Sequence, residues 1–374
     1  MLKVRTVRPF QLLIKPTSGD CNINCTYCFY RRVKEIYPGK DEVHVMRENV
    51  LKCLIYDLLS YNFSTSVFSW QGGEPTLAGL DFFKRVVELQ KKYGQRGQVI
   101  GNSMQTNGIL INEDWVQFLS KYKFLVGISL DGPEDIHNYY RANSYKRVME
   151  AIKILKEYRV EFNILTVVSD ANVRRGREIY QFFRKNGFSY LQFIPCLEWD
   201  AEKQESRPYS FNREDYGNFL CRVFDEWIKR DVGRVSIRLF EDIMSYHLGK
   251  GNPSCTFKDI CDSYLVVEHN GDIYPCDFFV YPEWRLGNLL ENSLMDIANS
   301  ELRKKFATRK EEPNDECKHC KWLPLCHGGC QVDRFYPIRN DTTNKDNYLC
   351  SAYKKFFNYS ERTFLKTANK LKVR

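Results

Sequence analysis

Along residues 11–194 the apolar positions keep two alternating rhythms. Short runs rich in branched and aromatic side chains fall at 11–15, 67–70, 99–104, 125–130, 162–168 and 191–194. Between them, apolar residues recur three and four apart at 47–59, 82–93, 113–122, 147–158 and 174–186, with charged residues on the intervening positions. The first rhythm predicts strands and the second amphipathic helices. Apart from a longer first connection, the spacing of roughly 25–35 residues is that of a βαβ unit. Six such units predict a parallel sheet covered by helices. In barrels of this kind reactive side chains collect at the C-terminal ends of the strands.

After one more helical stretch, 216–230, the rhythm is lost. Gly249, Gly251 and Pro253 punctuate a linker. The pattern 264–268, Asn270-Gly271, 273–275 predicts a hairpin. The chain beyond the hairpin is loop-rich and dense in cysteine, as where metal centres replace a hydrophobic core. The expected division is 1–232 and 233–374. The tail 353–374 reads as a basic amphipathic helix docked on the body.

Composition narrows the classes. With 43% hydrophobic and 28% charged residues, the 374-residue chain can bury a sizeable core. No run of 18 apolar residues exists, so no membrane span is expected. The N-terminus lacks the apolar region of a secretory signal, and a cytoplasmic location is expected. The net charge of +9, from 56 basic and 47 acidic residues, permits an anionic partner without demanding one. The cysteines change the picture more. In a reducing compartment 14 of them are not expected to form disulfides. Eight fall between Cys255 and Cys350, a bunching that points to metal ligation.

The loop after the first strand reads Cys21-Asn-Ile-Asn-Cys25-Thr-Tyr-Cys28. Three thiolates from one short loop fit three irons of a [4Fe–4S] cube and leave the fourth open. A zinc site is the alternative, but zinc takes four protein ligands and no nearby histidine completes the set. This segment resembles the signature of radical S-adenosylmethionine (SAM) enzymes. There the open iron is chelated by SAM, whose reductive cleavage yields a 5′-deoxyadenosyl radical. Gln71-Gly72-Gly73-Glu74-Pro75, after the second strand, resembles the motif that receives the SAM amino group in that family. Two glycines permit close backbone approach there. By the same resemblance Ser129 would bind the ribose and Arg141 the SAM carboxylate, for which a guanidinium fork is suited. Tyr27 and Leu197 would complete the SAM site. The loop 141–147 is shorter than the glycine-containing loop usual in the family.

A second constellation runs Cys255, Cys261, Gly271, Cys276, then Cys317-x2-Cys320-x5-Cys326-x3-Cys330 and Cys350. It resembles the SPASM extension of radical SAM enzymes that modify peptides. The resemblance implies a crossed ligand set. Cys255, Cys261, Cys276 and Cys330 would hold one cluster, and Cys317, Cys320, Cys326 and Cys350 another. A pair of zinc knuckles is the alternative. Three plus eight cysteines imply three [4Fe–4S] clusters; Cys53, Cys196 and Cys221 are left as buried free thiols. None of the six histidines shows paired ligand spacing.

Tyr274-Pro-Cys-Asp-Phe-Phe, Trp284-Arg-Leu-Gly-Asn, Leu12-Leu-Ile-Lys-Pro, the segment from Trp70 to Gly79 and Gln105-Thr-Asn-Gly108 resemble anaerobic sulfatase-maturating enzymes over nearly the whole chain. The resemblance implies an α/β fold: a partial (β/α)6 TIM-like barrel of the radical SAM type with a C-terminal loop-rich iron–sulfur (SPASM) domain. It implies oxidation of a cysteine or serine of an unfolded or nascent sulfatase to Cα-formylglycine, with an electron donor such as flavodoxin or ferredoxin. Asp277, beside Cys276, would be the general base, and Tyr30, Gln71 and Gln105 would meet the substrate. Two rivals differ in kind. Another SPASM peptide maturase, thioether-forming or epimerising, is disfavoured by the 20 residues before Cys21, too few for a leader-binding domain. A zinc-containing nucleic-acid-binding protein predicts basic–aromatic clusters and no SAM motif. Neither nucleic acid nor membrane is expected as a partner.

Overall fold

The computed structural model describes residues 10–39, 43–200, 203, 205–335 and 346–372. Two compact units emerge: Met1–Ile128, Lys146–Phe162 and Asp262–Ala307 form the first, and Ser129–Tyr145, Asn163–Cys261 and Thr308–Arg374 the second.

In the first unit β1 (Gln11–Lys15), β2 (Thr65–Trp70), β3 (Val99–Thr106) and β4 (Leu125–Ser129) lie side by side and parallel. They are the strands that the short apolar runs predict. Leu12, Ile14, Phe68 and Trp70 are fully buried. The helix Leu80–Tyr93 turns Phe83, Val86, Val87 and Leu89 inward. The helix Glu113–Lys121 starts where the Asn112 side chain accepts from the Trp115 amide, satisfying one of the otherwise unpaired first-turn donors. Phe83 meets Trp70 and Trp115 edge-on, with ring centres 5.5 and 5.4 Å apart.

The hairpin forms as expected, but its first strand has a second partner. Tyr264–Glu268 runs parallel to β1 in the register Gln11↔Tyr264 through Lys15↔Glu268. Asp272–Tyr274 and Gly287–Asn288 continue outward as antiparallel strands. This portion also has an apolar core that its cysteine density conceals. Phe279, Val280, Leu294, Ile297 and Phe306 are buried, and Phe279 meets Phe306 edge-on at 5.0 Å.

The second unit holds β5 (Phe162–Val168), β6 (Tyr190–Pro195) and Ser236–Ile237 in that parallel order. Its tail helix Cys350–Lys372 docks as the amphipathic pattern predicts. Phe356 stacks on Phe240 at 5.3 Å, and Phe364 lies 5.4 Å from Phe224 and 6.0 Å from Trp227. Among the helices that the periodicity does not predict are Glu134–Tyr140, Arg238–His247 and Glu301–Thr308. Each is ten residues or fewer and buries two or three side chains, too few repeats for a helical rhythm to register. Among the leftover cysteines Cys196 is buried as expected, whereas Cys53 and Cys221 are only partly covered. Among the described residues no helix is long and apolar enough to cross a membrane.

Candidate active site

Pro16 ends β1, and the next twelve residues make the first cysteine loop. Its backbone folds on itself through Ser18 N to Lys15 O, Asp20 N to Thr17 O and Cys28 N to Cys25 O. The segment after β2 is strapped across this loop: Gly73 N donates to Ser18 O at 2.8 Å and Glu74 N to Asp20 O at 2.7 Å. Both glycines are steric requirements of that contact. A Cβ on Gly73 would fall 1.9 Å from the Asp20 carbonyl oxygen, and one on Gly72, at φ +130°, 2.8 Å from that of Ser18.

Glu74 is completely buried. Its carboxylate accepts from Thr76 N and Oγ1, from Thr106 Oγ1 at 2.7 Å and from Asn107 N at 2.8 Å. Burial raises its pKa, while these donors pull the other way. The side chain therefore ties the ends of β2 and β3 together. Asn107, brought in by that tie, donates its side-chain amide to Asn22 Oδ1 at 2.7 Å and to the Cys21 sulfur at 3.6 Å. Burial pushes the Cys21 thiol up. Cys25 and Tyr27 are buried, while Cys21, Cys28, Gln71 and Gln105 are partly accessible.

Cys28 leads into the 3₁₀ turn Phe29–Arg32, which buries Tyr30. The Tyr30 hydroxyl donates to Glu268, fully buried on the strand beside β1. Burial, then the Glu268 carboxylate, hold the phenol well above its ordinary range. Lys15, 1% exposed at the end of β1, has its ammonium 4.3 Å from the Tyr30 ring centre and 3.5 Å from Asp277 Oδ2. The other Asp277 oxygen lies 3.7 Å from the Cys276 sulfur. Arg32 fixes the Asp277–Phe279 turn from below, donating to Phe278 O at 2.8 Å and Asp277 O at 3.4 Å. Asp277 and Tyr30, singled out on sequence, are thus gathered around one buried lysine. Tyr30 offers its ring there, since its hydroxyl is committed to Glu268.

In the second unit Arg141 ends the helix Glu134–Tyr140 and is buried against Asp131 in a two-pronged ion pair, with Nε–Oδ2 2.8 Å and Nη2–Oδ1 3.1 Å. Asp131 also accepts from Val167 N. Ser129 sits at the end of β4, and Leu197 is buried just beyond β6. His137 locks the loop between them: its Nδ1 accepts from Asp131 N and its Nε2 meets Ser144 Oγ at 2.9 Å. Burial lowers the His137 pKa from 6.5 to about 4. A depressed histidine stabilises the fold fully above its unfolded pKa, and that contribution is lost as pH falls through the folded value. The expected loss is about 3 kcal/mol between pH 6.5 and 4. Unfolding midpoints measured across that window should fall more steeply for the native chain than for His137→Gln.

The auxiliary cysteines of the second unit form two groups. Cys317, Cys320, Cys326 and Cys350 line one cavity, partly open to solvent, with Trp322, Leu323, Tyr353 and Phe357. That is the second ligand set of the sequence reading. Cys330 is partly covered and interacts electrostatically with Cys261 and Cys255, three members of the other set, while Cys276 belongs to the first unit. Burial pushes the thiols of Cys317, Cys326, Cys330 and Cys350 up, Cys326 to about 11 and Cys330 well beyond its ordinary value. Thiolates so placed need a bound cation to hold their charge, which suits a ligand role. Among the described residues no three His, Cys, Asp or Glu side chains close on a single ion. A cubane spans several atoms and spreads its ligands more widely.

The sequence reading did not single out Lys15, Glu268, Asn107, Asp131 or Arg32. The motifs Leu12-Leu-Ile-Lys-Pro and Gln105-Thr-Asn-Gly contain two of them, and the first carries a lysine inside an apolar run.

Comparison with known proteins agrees with this geometry. Residues 16–183 match the radical SAM superfamily and 255–321 an iron–sulfur cluster-binding domain, SPASM. A cysteine-type anaerobic sulfatase-maturating enzyme of Clostridium perfringens is 40% identical over 97% of this chain and 100% of its own. A serine-type enzyme of Bacteroides thetaiotaomicron is 35% identical over 94% of this chain and 89% of its own. The structure of native anSMEcpe with bound AdoMet and Cp18Cys peptide superposes with a TM-score of 0.88 at 38% identity, covering 97% of this chain and all of that one. With a cysteine loop and its glycine strap after β1 and β2, a cysteine-rich SPASM region and full-length similarity at this level, the chain belongs to the anaerobic sulfatase-maturating enzymes of the radical SAM superfamily.

Proposed function

We propose that this enzyme oxidises an active-site cysteine or serine of an unfolded or nascent sulfatase to Cα-formylglycine in the cytoplasm, with residues 1–232 as the radical SAM portion and 233–374 as the SPASM portion. The observation that carries the reading is the placement of the Asp277 carboxylate, next in the chain to the cluster ligand Cys276 and 3.5 Å from buried Lys15. Cys21, Cys25 and Cys28 would hold the radical-site cluster and the eight later cysteines two more, three [4Fe–4S] clusters in all. When bound, the clusters and SAM supply a hydrogen-abstracting radical and an acceptor for one electron. The chain's own residues do the rest. Gly72 and Gly73 present backbone to the SAM amino group, and Glu74 and Asn107 hold the two loops in place. Tyr27, Ser129, Leu197 and Arg141 complete the SAM site.

At the substrate, the target carbon loses one β-hydrogen atom and Asp277 takes the thiol or hydroxyl proton. One electron then leaves the substrate. The serine product is the aldehyde itself, while the cysteine product is a thioaldehyde that water converts to the aldehyde and hydrogen sulfide. Lys15 holds the carboxylate in place, and Tyr30, Gln71 and Gln105 would meet the substrate. A flavodoxin or ferredoxin would supply the initiating electron.

The test is an anaerobic assay with cysteine- and serine-containing sulfatase peptides, read by mass spectrometry for formylglycine. A thioether or an epimer as the product would instead support another SPASM maturase. Arg141→Ala is expected to keep all iron and weaken SAM binding about 10- to 150-fold, the roughly 1.5–3 kcal/mol of a charge-assisted contact. Calorimetric titration with SAM checks this, and unaltered affinity would move the carboxylate contact elsewhere.

A further inference from the structure

Two buried cations of the second unit lie among the auxiliary cysteines and take no part in the steps above. Lys310 is 2% exposed, and its ammonium donates to the main-chain carbonyls of Cys255 at 3.2 Å and Thr256 at 2.7 Å. Arg334, 4% exposed on the short helix Val332–Phe335, donates Nη1 to Lys310 O at 3.1 Å and Nη2 to Glu312 O at 2.7 Å. Its guanidinium rests against Gly328, between Cys326 and Cys330, where an added Cβ would lie 3.2 Å from Nη1. Arg334 is therefore tied to the main chain of Lys310 and wedged against one cysteine loop, while the Lys310 ammonium is tied to the main chain at Cys255.

Their electrical surroundings are unusual for buried cations. The charge of Lys310 interacts with the thiols of Cys261, Cys330, Cys255 and Cys326, and that of Arg334 with those of Cys317, Cys326, Cys261 and Cys330. Each cation thus addresses cysteines of both ligand sets. Carbonyl oxygens accept hydrogen bonds from both but carry no net charge, and a buried cation is held more favourably where anions stand nearby. A buried carboxylate, Asp333, acts on Cys330 with the opposite sign. Four thiolates on each cluster supply the larger anionic charge.

We propose that Lys310 and Arg334 tune both auxiliary clusters, raising their reduction potentials by stabilising the negative charge that each cluster gains on accepting an electron. The inference rests on the reading of the eight cysteines as ligands of two clusters. One-electron reduction adds an electron and no proton, and a fixed positive charge in a poorly screened interior favours the reduced form. In turnover that electron comes from the substrate radical, and in the test it comes from dithionite. The charge of Lys354 also interacts with the thiols of Cys350, Cys320 and Cys317, but its side chain is 39% exposed, so water screens it. It serves as the comparison.

The experiment is an anaerobic redox titration of the full chain, followed by electron paramagnetic resonance. Cys21, Cys25 and Cys28 are changed to alanine so that only the auxiliary signals remain, and iron and sulfide are measured first. Lys310→Gln and Arg334→Gln are each expected to lower the reduced-to-oxidised ratio at a fixed potential by about tenfold or more, a shift of about 59 mV for one electron. Lys310→Arg and Lys354→Gln should stay within about threefold of the parent. Neutral variants with full iron and unmoved potentials overturn the proposal. Loss of iron from both, with retention in Lys310→Arg, also overturns it and assigns the pair to cluster assembly. Iron for fewer than two clusters in the parent chain overturns the two-cluster reading itself, and this inference with it.

Discussion

Replacing Cys21, Cys25 and Cys28 together by alanine should leave about two-thirds of the iron and abolish SAM cleavage, because under the proposed assignment of three clusters one loses every protein ligand. The eight cysteines from Cys255 to Cys350 lie far along the chain, and the group of four lining one cavity is built wholly within the second unit. Their clusters should assemble undisturbed. The first loop should also keep its shape, since its fold depends on Gly73 N, Glu74 N and the Glu74 carboxylate rather than on the thiols. Iron, sulfide and 5′-deoxyadenosine are the measurements. Iron content equal to that of the native chain would sink the assignment of this loop.

Asp277→Asn is expected to keep all clusters and cleave SAM, yet make formylglycine ~100-fold more slowly or worse, the scale of a lost general base. Asparagine preserves size and accepts hydrogen bonds but takes up no proton near neutral pH. The turn itself should survive, because Arg32 grips the main-chain carbonyls of Asp277 and Phe278 and not the carboxylate. Serine peptides should suffer more than cysteine peptides, since a thiol with a pKa of about 8.5 ionises far more readily than an alcohol. Product and 5′-deoxyadenosine, counted together for both peptides, separate a lost base from a lost radical. Formylglycine at the native rate would reduce Asp277 to a hairpin residue.

The sequence by itself determined what depends on neighbours in the chain. Alternation and helical spacing are local, so the six strands and the longer helices were legible. Cysteine spacing is local too: three thiols within eight residues must share one loop, whatever surrounds it. The glycine pair and the Asn270-Gly271 turn belong to the same class. The short helices were not legible, because two or three inward side chains make no rhythm.

Tertiary structure alone decided which charges are buried and what they face. Lys15, Glu74, Glu268, Lys310 and Arg334 look on sequence like surface residues, yet all are buried. A charge is tolerated inside only where partners meet it, and here those partners stand far off in sequence. Tyr30 and Glu268 are 238 positions apart, and the register that sets Glu268 beside Lys15 is fixed only when Tyr264–Glu268 pairs with β1. That pairing brings Asp277 to Lys15 and Tyr30. No periodicity records it, because strand register is set by the whole sheet and by the burial of both faces, not by the residues of either strand alone.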